Sequence, residues 1–193
     1  MKALITGANG FLGSAVLRLL VSEGYDVRVL VRPNADKRNL EKFDLKIIEG
    51  DLQNTESLKR AVDSCDQVFH VAADYRLWVP DPDQMYKTNI DGTRNLILAA
   101  TDAGVEKIVY TSSVATLGTN EDGSPADETT PSSLKDMVGA YKRSKFLAEQ
   151  AVKVLIKEKS CPVTIVNPSA PVGPRDIKPT PTGKIILDTI RNR

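Results

Sequence analysis

The stretch KALITGANGFLG (residues 2–13) decides the fold of this chain. Its apolar half, which ends at Thr6, has the composition of a buried strand and leads directly into glycines at positions 7, 10 and 13. A helical apolar period follows, from about Phe11 to Glu23, and predicts one apolar stripe of Leu12, Val16, Leu19 and Leu20. Glycines with this spacing permit a tight turn, close approach of a pyrophosphate and close packing of helix on strand. The stretch therefore predicts a strand–turn–helix unit that binds dinucleotide phosphates at the helix N-terminus.

The rest of the chain repeats the alternation of short β-branched runs with longer helical segments, which is typical of a parallel sheet with helices on both faces. We expect helices over 11–23, 82–103 and 136–159. Six strands are predicted, at Lys2–Thr6, Asp26–Val31, Leu45–Glu49, Gln67–Val71, Lys107–Thr111 and Val163–Asn167. The predicted fold class is α/β, a doubly wound Rossmann-type sheet.

Composition excludes several classes of protein. Of the 193 residues, 41% are hydrophobic and 26% charged, as in globular proteins, and a net charge of +1 gives no general attraction to nucleic acid. No apolar run approaches the roughly 20 residues that span a bilayer, so we expect no transmembrane segment and a cytoplasmic protein. Cys65, Cys161 and the single histidine, His70, give no disulfide or metal spacing, and we interpret His70 as a hydrogen-bonded residue at a strand end.

The residue that follows the second strand bears on the choice of cofactor. An acidic side chain there would bind the ribose 2′-hydroxyl of NAD, but this position holds Arg32, and Asp26 lies at the other end of the strand. A guanidinium suits a 2′-phosphate, which favours NADP, with NAD as the alternative. A solvated surface arginine is the other interpretation of Arg32.

Two further motifs carry candidate chemistry. Tyr141 and Lys145 are four residues apart, hence on one face of a helix, and an ammonium near a phenol lowers the phenol pKa and so helps it to exchange protons. The fifth strand ends in Thr111-Ser112-Ser113, where hydroxyls would face the cofactor crevice. Either motif alone is common by chance, but their order along the chain strengthens both.

Together these motifs resemble the extended short-chain dehydrogenase/reductases, which belong to the NAD-dependent epimerase/dehydratase superfamily. The resemblance also covers Gly50-Asp51-Leu52, His70-Val71-Ala72-Ala73 and Asn89-Ile90-Asp91-Gly92-Thr93, and so nearly the whole chain. Within the superfamily the chain looks most similar to dihydroflavonol-4-reductase-like proteins and to the hopanoid-associated sugar epimerase group. ADYRLW (residues 73–78), YKRSKF (residues 141–146) and the segments 167–169 and 173–176 carry the narrower match.

The resemblance implies roles for individual residues. Tyr141 corresponds to the general acid/base, Lys145 to the residue that lowers its pKa and holds the nicotinamide ribose, and Ser113 to the donor that fixes the substrate oxygen, in preference to Ser112. The implied dinucleotide site comprises Gly7, Gly10, Phe11, Leu12, Gly13, Arg32, Asp51, Leu52, Ala72, Ala73, Asn89, Tyr141, Lys145 and Pro168, with Asp51 near adenine and Pro168 near nicotinamide. No metal is expected.

Three functions remain open from the sequence: a reductase of small-molecule carbonyls or alcohols, a sugar or nucleotide-sugar epimerase or dehydratase that retains its cofactor, and a non-catalytic dinucleotide sensor. The helices at 82–103 and 136–159 could pair two copies of the chain. The segment from Asp74 to Asp83 could wall a substrate site, or its Trp78 could pack on the core.

We place a cofactor domain at 1–178 and the beginning of a substrate region at 179–193. Since extended members of the resembled family continue into a substrate domain, the chain is expected to be short by most of that domain. A helical period covers 182–193.

Overall fold

A computed structural model describes residues 1–191 and forms one parallel sheet. Its strands lie in the order β3-β2-β1-β4-β5-β6, which is the Rossmann order. They comprise β1 (Lys2–Thr6), β2 (Asp26–Val31), β3 (Lys46–Glu49), β4 (Gln67–His70), β5 (Lys107–Thr111) and β6 (Val163–Val166). All six predicted strands are confirmed within one residue at each end. Because the direction of the order reverses beside β1, the carboxyl ends of β1 and β4 border a crevice.

The helices are α1 (Phe11–Ser22), α2 (Thr55–Val62), α3 (Asp83–Tyr86), α4 (Gly92–Asp102), α5 (Gly139–Lys159) and α6 (Pro181–Arg191). The helix predicted over 82–103 contains a π-helical turn, Lys87–Asp91, between α3 and α4. The helix predicted from residue 136 begins at Gly139, after a separate 3₁₀ turn, Leu134–Asp136. The short helix α2 was not predicted. The predicted helix at the end of the chain is observed to Arg191, and residues 192–193 lie outside the described part.

Alternate residues of the strands enter two apolar clusters. Leu4 belongs to a cluster that contains side chains of α2, α4 and α5, whereas Ala3 and Ile5 belong to the cluster of α1. Since successive side chains of a strand point to opposite faces, helices cover both faces of the sheet as predicted. On α1, Leu17 and Leu20 are buried, but Leu19, which its period also assigns to the apolar stripe, is 60% exposed.

The end of the described chain packs less tightly. Helix α6 has no buried residue, and the side chains of Ile185, Ile186 and Ile190 are exposed. A cavity of about 270 Å³ lies between α6 and the segment 171–176. Among residues 1–191 no helix is long and apolar enough to cross a membrane.

Candidate active site

The turn after β1 needs glycine at two positions for different reasons. Gly7 has φ +74°, and a Cβ there would lie 2.7 Å from the backbone nitrogen of Ala72. The absence of a side chain at Gly7 therefore lets the ends of β1 and β4 meet. A Cβ on Gly13 would lie 2.1 Å from the carbonyl oxygen of Gly7, so it lets α1 pack on the turn. Gly10 caps α1 without any side-chain hydrogen bond, which leaves the first N–H groups of the helix directed at the crevice. Phe11 and Leu12 of the first turn are half-buried.

Arg32 directly follows β2 and is exposed, at the same edge of the sheet as the glycine turn. Its positive charge contributes to lowering the pKa of Asp74, which the hydrogen bond from Arg76 lowers most. The loop after Arg32 is tied to the glycine turn, since Asn9 donates to the carbonyl of Asp36 at 3.2 Å and accepts from Asn39 at 3.1 Å. This loop and the turn therefore form one rim.

Asp51, which was predicted near adenine, and Leu52 lie in the turn after β3. Asp51 is half-buried, and its backbone N–H donates to Ser57 Oγ at 3.1 Å. Leu52 is buried in the core. A Cβ on Gly92 would lie only 2.7 Å from the Cβ of Leu52, so glycine at position 92 leaves room for this side chain. Leu52 thus packs against the start of α4, and Asp51 is left at the rim.

The two serines after β5 differ in their surroundings. Ser112 is buried, and its hydroxyl donates to the carboxylate of Glu149 at 2.5 Å. Ser113 is half-buried, and its Oγ accepts from the backbone N–H of Ala115 at 3.1 Å. The pairing of β5 with β6 continues past the strands, where Val114 donates to the carbonyl of Pro168 at 3.1 Å. This geometry favours Ser113 over Ser112 for contact with a ligand and brings Pro168 beside it.

Tyr141 and Lys145 occupy the first turns of α5, which faces the end of β5. The Lys145 ammonium is buried and donates to Tyr110 Oη at 3.2 Å and to the carbonyl of Thr111 at 2.8 Å. It also lies 4.8 Å from the centre of the Tyr110 ring. Tyr110, which the sequence analysis did not single out, is therefore the direct partner of the lysine.

The pKa values of the pair differ from the expectation for Tyr141. Burial raises the pKa of Tyr141, and hydrogen bonding with Ser113 lowers it in part. Burial lowers the pKa of Lys145 to about 8, against the opposing charge of Glu149. The structure shows no contribution of Lys145 to the Tyr141 pKa, and the ammonium instead donates to Tyr110 and Thr111. Ser113, the predicted donor to the substrate oxygen, lies near enough to Tyr141 to influence its pKa.

His70 and Asn89 connect the elements beneath the crevice. The fully buried His70 ring bonds Thr6 Oγ1 at 2.7 Å and Thr93 Oγ1 at 2.9 Å, which confirms a satisfied histidine at a strand end. Burial lowers its pKa to about 3, and repulsion from Lys145 adds to this.

The buried Asn89 lies in the π-helical turn, where its amide donates to the carbonyl of Asp74 at 2.9 Å and to Ser144 Oγ at 2.8 Å. Its Oδ1 accepts from the backbone N–H of Asp74 at 2.7 Å. Asn89 therefore holds the segment after β4 to α5, and both of its amide hydrogens are engaged within the protein.

The segment after β4 presents apolar side chains to solvent. Ala72 and Ala73 are half-buried next to the glycine turn, whereas Leu77 and Trp78 are 66% and 79% exposed. Trp78 therefore does not pack on the described core. Cys65 and Cys161 are buried free thiols, and residues 1–191 hold no group of three histidine, cysteine or acidic side chains that could bind a metal.

Residues 3–192 match the profile of the NAD dependent epimerase/dehydratase family. The "Putative dihydroflavonol 4-reductase" of Synechocystis sp. is 44% identical over 189 residues, which are 98% of this chain and 54% of that protein. The sterol demethylase protein B of Methylococcus capsulatus is 34% identical over 100% of this chain and 58% of its own length. The crystal structure of gox2253 is 58% identical, with a TM-score of 0.93 over 97% of this chain and 57% of that one. The chain thus spans little more than half the length of these proteins.

Proposed function

Since this chain belongs to the NAD dependent epimerase/dehydratase family, we propose that it is an oxidoreductase that binds a nicotinamide dinucleotide along the carboxyl edge of the sheet. Hydride would pass between the nicotinamide and a carbonyl or secondary alcohol of a small-molecule substrate. The observation that carries the proposal is the convergence of Ser113, Tyr141 and Lys145 where α5 meets the end of β5.

The residues of the crevice fit such a cofactor. The glycines at 7, 10 and 13 leave backbone N–H groups and the positive end of α1 facing the position of a pyrophosphate. We assign Arg32 and Asp51 to the adenosine end, and Ala72, Ala73 and Pro168 to the segments that border the cofactor nearer the nicotinamide. Phe11 and Leu12 would pack beside it, the buried Leu52 would support the turn that carries Asp51, and Asn89 would hold the wall formed by the segment after β4.

In the reaction, Tyr141 would give a proton to the substrate oxygen or take one from it, and Ser113 would hold the same oxygen by a hydrogen bond. The raised pKa of Tyr141 keeps the phenol protonated at neutral pH, which suits proton donation in the reductive direction. Lys145 would bind the ribose hydroxyls, and in that arrangement its positive charge would favour the Tyr141 phenolate.

Replacement of Tyr141 by Phe tests this role. We expect at least a hundredfold loss of kcat with unchanged thermal unfolding and cofactor affinity, because only the proton donor is removed. Tyr25→Phe, in the turn before β2, is the matched control and should keep full turnover. Full turnover of Tyr141→Phe would exclude the role of Tyr141 as acid/base.

NADP is the proposed cofactor, with NAD as the alternative. Dissociation constants for both should show tighter binding of NADP, and Arg32→Ala should weaken NADP by roughly tenfold or more while leaving NAD unchanged. Tighter binding of NAD to the wild-type protein would reverse this assignment.

A reductase is favoured over an epimerase or dehydratase, because Arg32 suits a cofactor that exchanges after each turnover and because the Synechocystis relative carries a reductase name. The family also includes epimerases, which return the hydride to the substrate. Mass spectrometry of the purified protein distinguishes the two, since an epimerase would retain its dinucleotide. Stoichiometric binding with no turnover of carbonyls or nucleotide sugars would instead indicate a non-catalytic sensor.

Pairing of two copies through the helices at 82–103 and 136–159 is a further part of the proposal, and light scattering during size-exclusion chromatography tests it. A cytoplasmic location stays a prediction from the sequence.

A further inference from the structure

Glu149 lies one helical turn beyond Lys145 on α5 and is only 3% exposed. Its Oε2 accepts hydrogen bonds from Ser112 Oγ at 2.5 Å, Thr116 Oγ1 at 2.7 Å and Asn167 Nδ2 at 2.9 Å. Its Oε1 lies 2.8 Å from Lys153 Nζ, which reaches the carboxylate from the next turn of the helix. A buried carboxylate with this many donors is a built feature of the fold.

The three neutral donors come from the segments that carry the candidate active site. Ser112 immediately precedes Ser113, and Asn167 immediately precedes Pro168. Asn167 Nδ2 also donates to the carbonyl of Ser113 at 3.1 Å. Thr116 Oγ1 lies 2.7 Å from the same carbonyl, so its single hydrogen is shared between that carbonyl and Glu149. One carboxylate therefore fixes the ends of β5 and β6 against α5.

Hydrogen bonding alone does not require a charge at this position. A neutral glutamine could still accept from Ser112 and Thr116, and it would avoid much of the cost of burying a carboxylate. The charge has a direct partner in the half-exposed Lys153 and a second, buried counterpart in the Lys145 ammonium. The two hydrogen-bond acceptors of Lys145, Tyr110 Oη and the Thr111 carbonyl, are uncharged. The other titratable groups around the lysine are His70, which burial keeps neutral, Tyr110 itself, and Tyr141 one turn earlier on α5, whose pKa burial raises.

We propose that Glu149 is a positioning residue, whose carboxylate holds Ser113 and Pro168 against α5 and supplies the buried negative charge that balances the Lys145 ammonium. The inference rests on the proposed function for the meaning of the site, but the charge relation between the two residues can be measured without any substrate.

The charge of Glu149 favours the charged form of Lys145. Burial lowers the pKa of Lys145 to about 8, and the charge of Glu149 opposes that effect. Burial raises the pKa of Glu149, but hydrogen bonds from Lys153, Ser112, Thr116 and Asn167 together bring it below its usual value, so the carboxylate is charged at neutral pH. Glu149→Gln should therefore lower the pKa of Lys145 further, and the ammonium should be lost at a lower pH.

The experiment compares wild-type protein, Glu149→Gln and Glu158→Gln. Glu158 is an exposed residue of the same helix, so its replacement makes the same change in net charge away from the site. The protein is labelled with [ε-¹³C]lysine, the Lys145 signal is assigned with Lys145→Arg, and its chemical shift is followed between about pH 6 and pH 10. We expect the Lys145 midpoint to fall by about one pH unit or more in Glu149→Gln, and to stay at the wild-type value in Glu158→Gln. Equal midpoints in wild type and Glu149→Gln would overturn the proposal.

Kinetics provide the second measurement. The alkaline limb of the kcat profile should move to lower pH with the Lys145 midpoint in Glu149→Gln, and kcat should fall at least tenfold with a smaller change in KM, since the reacting groups are displaced. A wild-type protein without turnover would refute the proposed function, while the lysine titration would still decide the role of Glu149.

Glu149→Asp covers the case in which the glutamine variant does not fold. The shorter side chain keeps the charge but retreats from Ser112 and Asn167, so the Lys145 midpoint should stay within about half a unit of wild type while kcat falls. Unchanged kcat in Glu149→Asp would refute the positioning role.

Discussion

Gly13→Ala tests how closely α1 must approach the turn after β1. The added Cβ would lie 2.1 Å from the carbonyl oxygen of Gly7, about 1.3 Å inside the 3.4 Å at which ordinary contact begins. The obstacle is backbone, so the helix itself must move. Overpacking of this kind costs up to about 3 kcal/mol, and the better helix propensity of alanine returns about 1 kcal/mol.

A net loss of about 2 kcal/mol in the free energy of unfolding corresponds to a fall in Tm of roughly 4–8 °C for a chain of this size. The same displacement moves the first N–H groups of α1 away from the crevice, so we expect the Kd for NADP to rise at least tenfold. Differential scanning calorimetry and fluorescence titration measure the two effects.

Gly24→Ala is the control for this substitution. Gly24 has φ +77° with no atom within 4 Å of a Cβ, so alanine there adds only backbone strain of about 1 kcal/mol. Its Tm should fall by about 2–4 °C, with unchanged cofactor binding. A Gly13→Ala protein with the Tm and Kd of the wild type would refute the argument that the third glycine is needed for close packing.

Three further substitutions test other parts of the structure. Arg28 is buried in β2 and donates to the carbonyls of Arg60, Ala61 and Asp63 at the end of α2, so Arg28→Met should lower the free energy of unfolding in urea by about 2–4 kcal/mol; a loss below about 0.5 kcal/mol would contradict this. The pKa of His70 is about 3 in the folded protein and about 6.5 in the unfolded chain, so between these values only the unfolded chain binds the proton. The free energy of unfolding is therefore unaffected by His70 above pH 6.5 and decreases as the pH falls from 6.5 toward 3. His70→Asn should therefore remove up to about 1.4 kcal/mol per pH unit from the pH dependence of unfolding below pH 6, and parallel slopes for the two proteins would exclude this. Trp78→Ala should change stability by no more than about 0.5 kcal/mol, since the side chain is 79% exposed, and a loss above 2 kcal/mol would mean that the ring packs on the core.

The strands and the glycine turn were predictable because their signals are local. The strands are short β-branched runs, since both faces of a parallel sheet are covered, and Gly7 and Gly13 meet backbone atoms that any chain of this topology brings near. Helix α2 was not predicted because its eight residues have a low mean hydropathy. Asn54, whose side chain caps the helix by accepting from the backbone N–H of Ser57, was the available signal. Leu19 was wrongly assigned to the buried stripe because the orientation of α1 follows Leu17 and Leu20, which face the sheet.

The partners of the reacting groups were beyond sequence reasoning for a different reason. Tyr141 and Lys145 could be placed together because four residues along a helix define one face, but the acceptor of Lys145 is Tyr110, on a strand 35 residues away. Asn89 likewise meets Ser144 across 55 residues. Such pairs exist only once the strand order and the packing of α5 are fixed, and no local period encodes them.

These long-range partners determine how the candidate active site should respond to change. Because Lys145 is held by uncharged oxygens of β5, its charge depends on Glu149 and on exclusion of water. The Glu149 carboxylate binds Asn167, and Asn167 in turn donates to the carbonyl of Ser113. A shift at the end of β6 would therefore reach Ser113 directly. Substitutions at the supporting residues should therefore change the pH dependence of turnover. Substitutions at Tyr141 should instead remove most turnover at every pH.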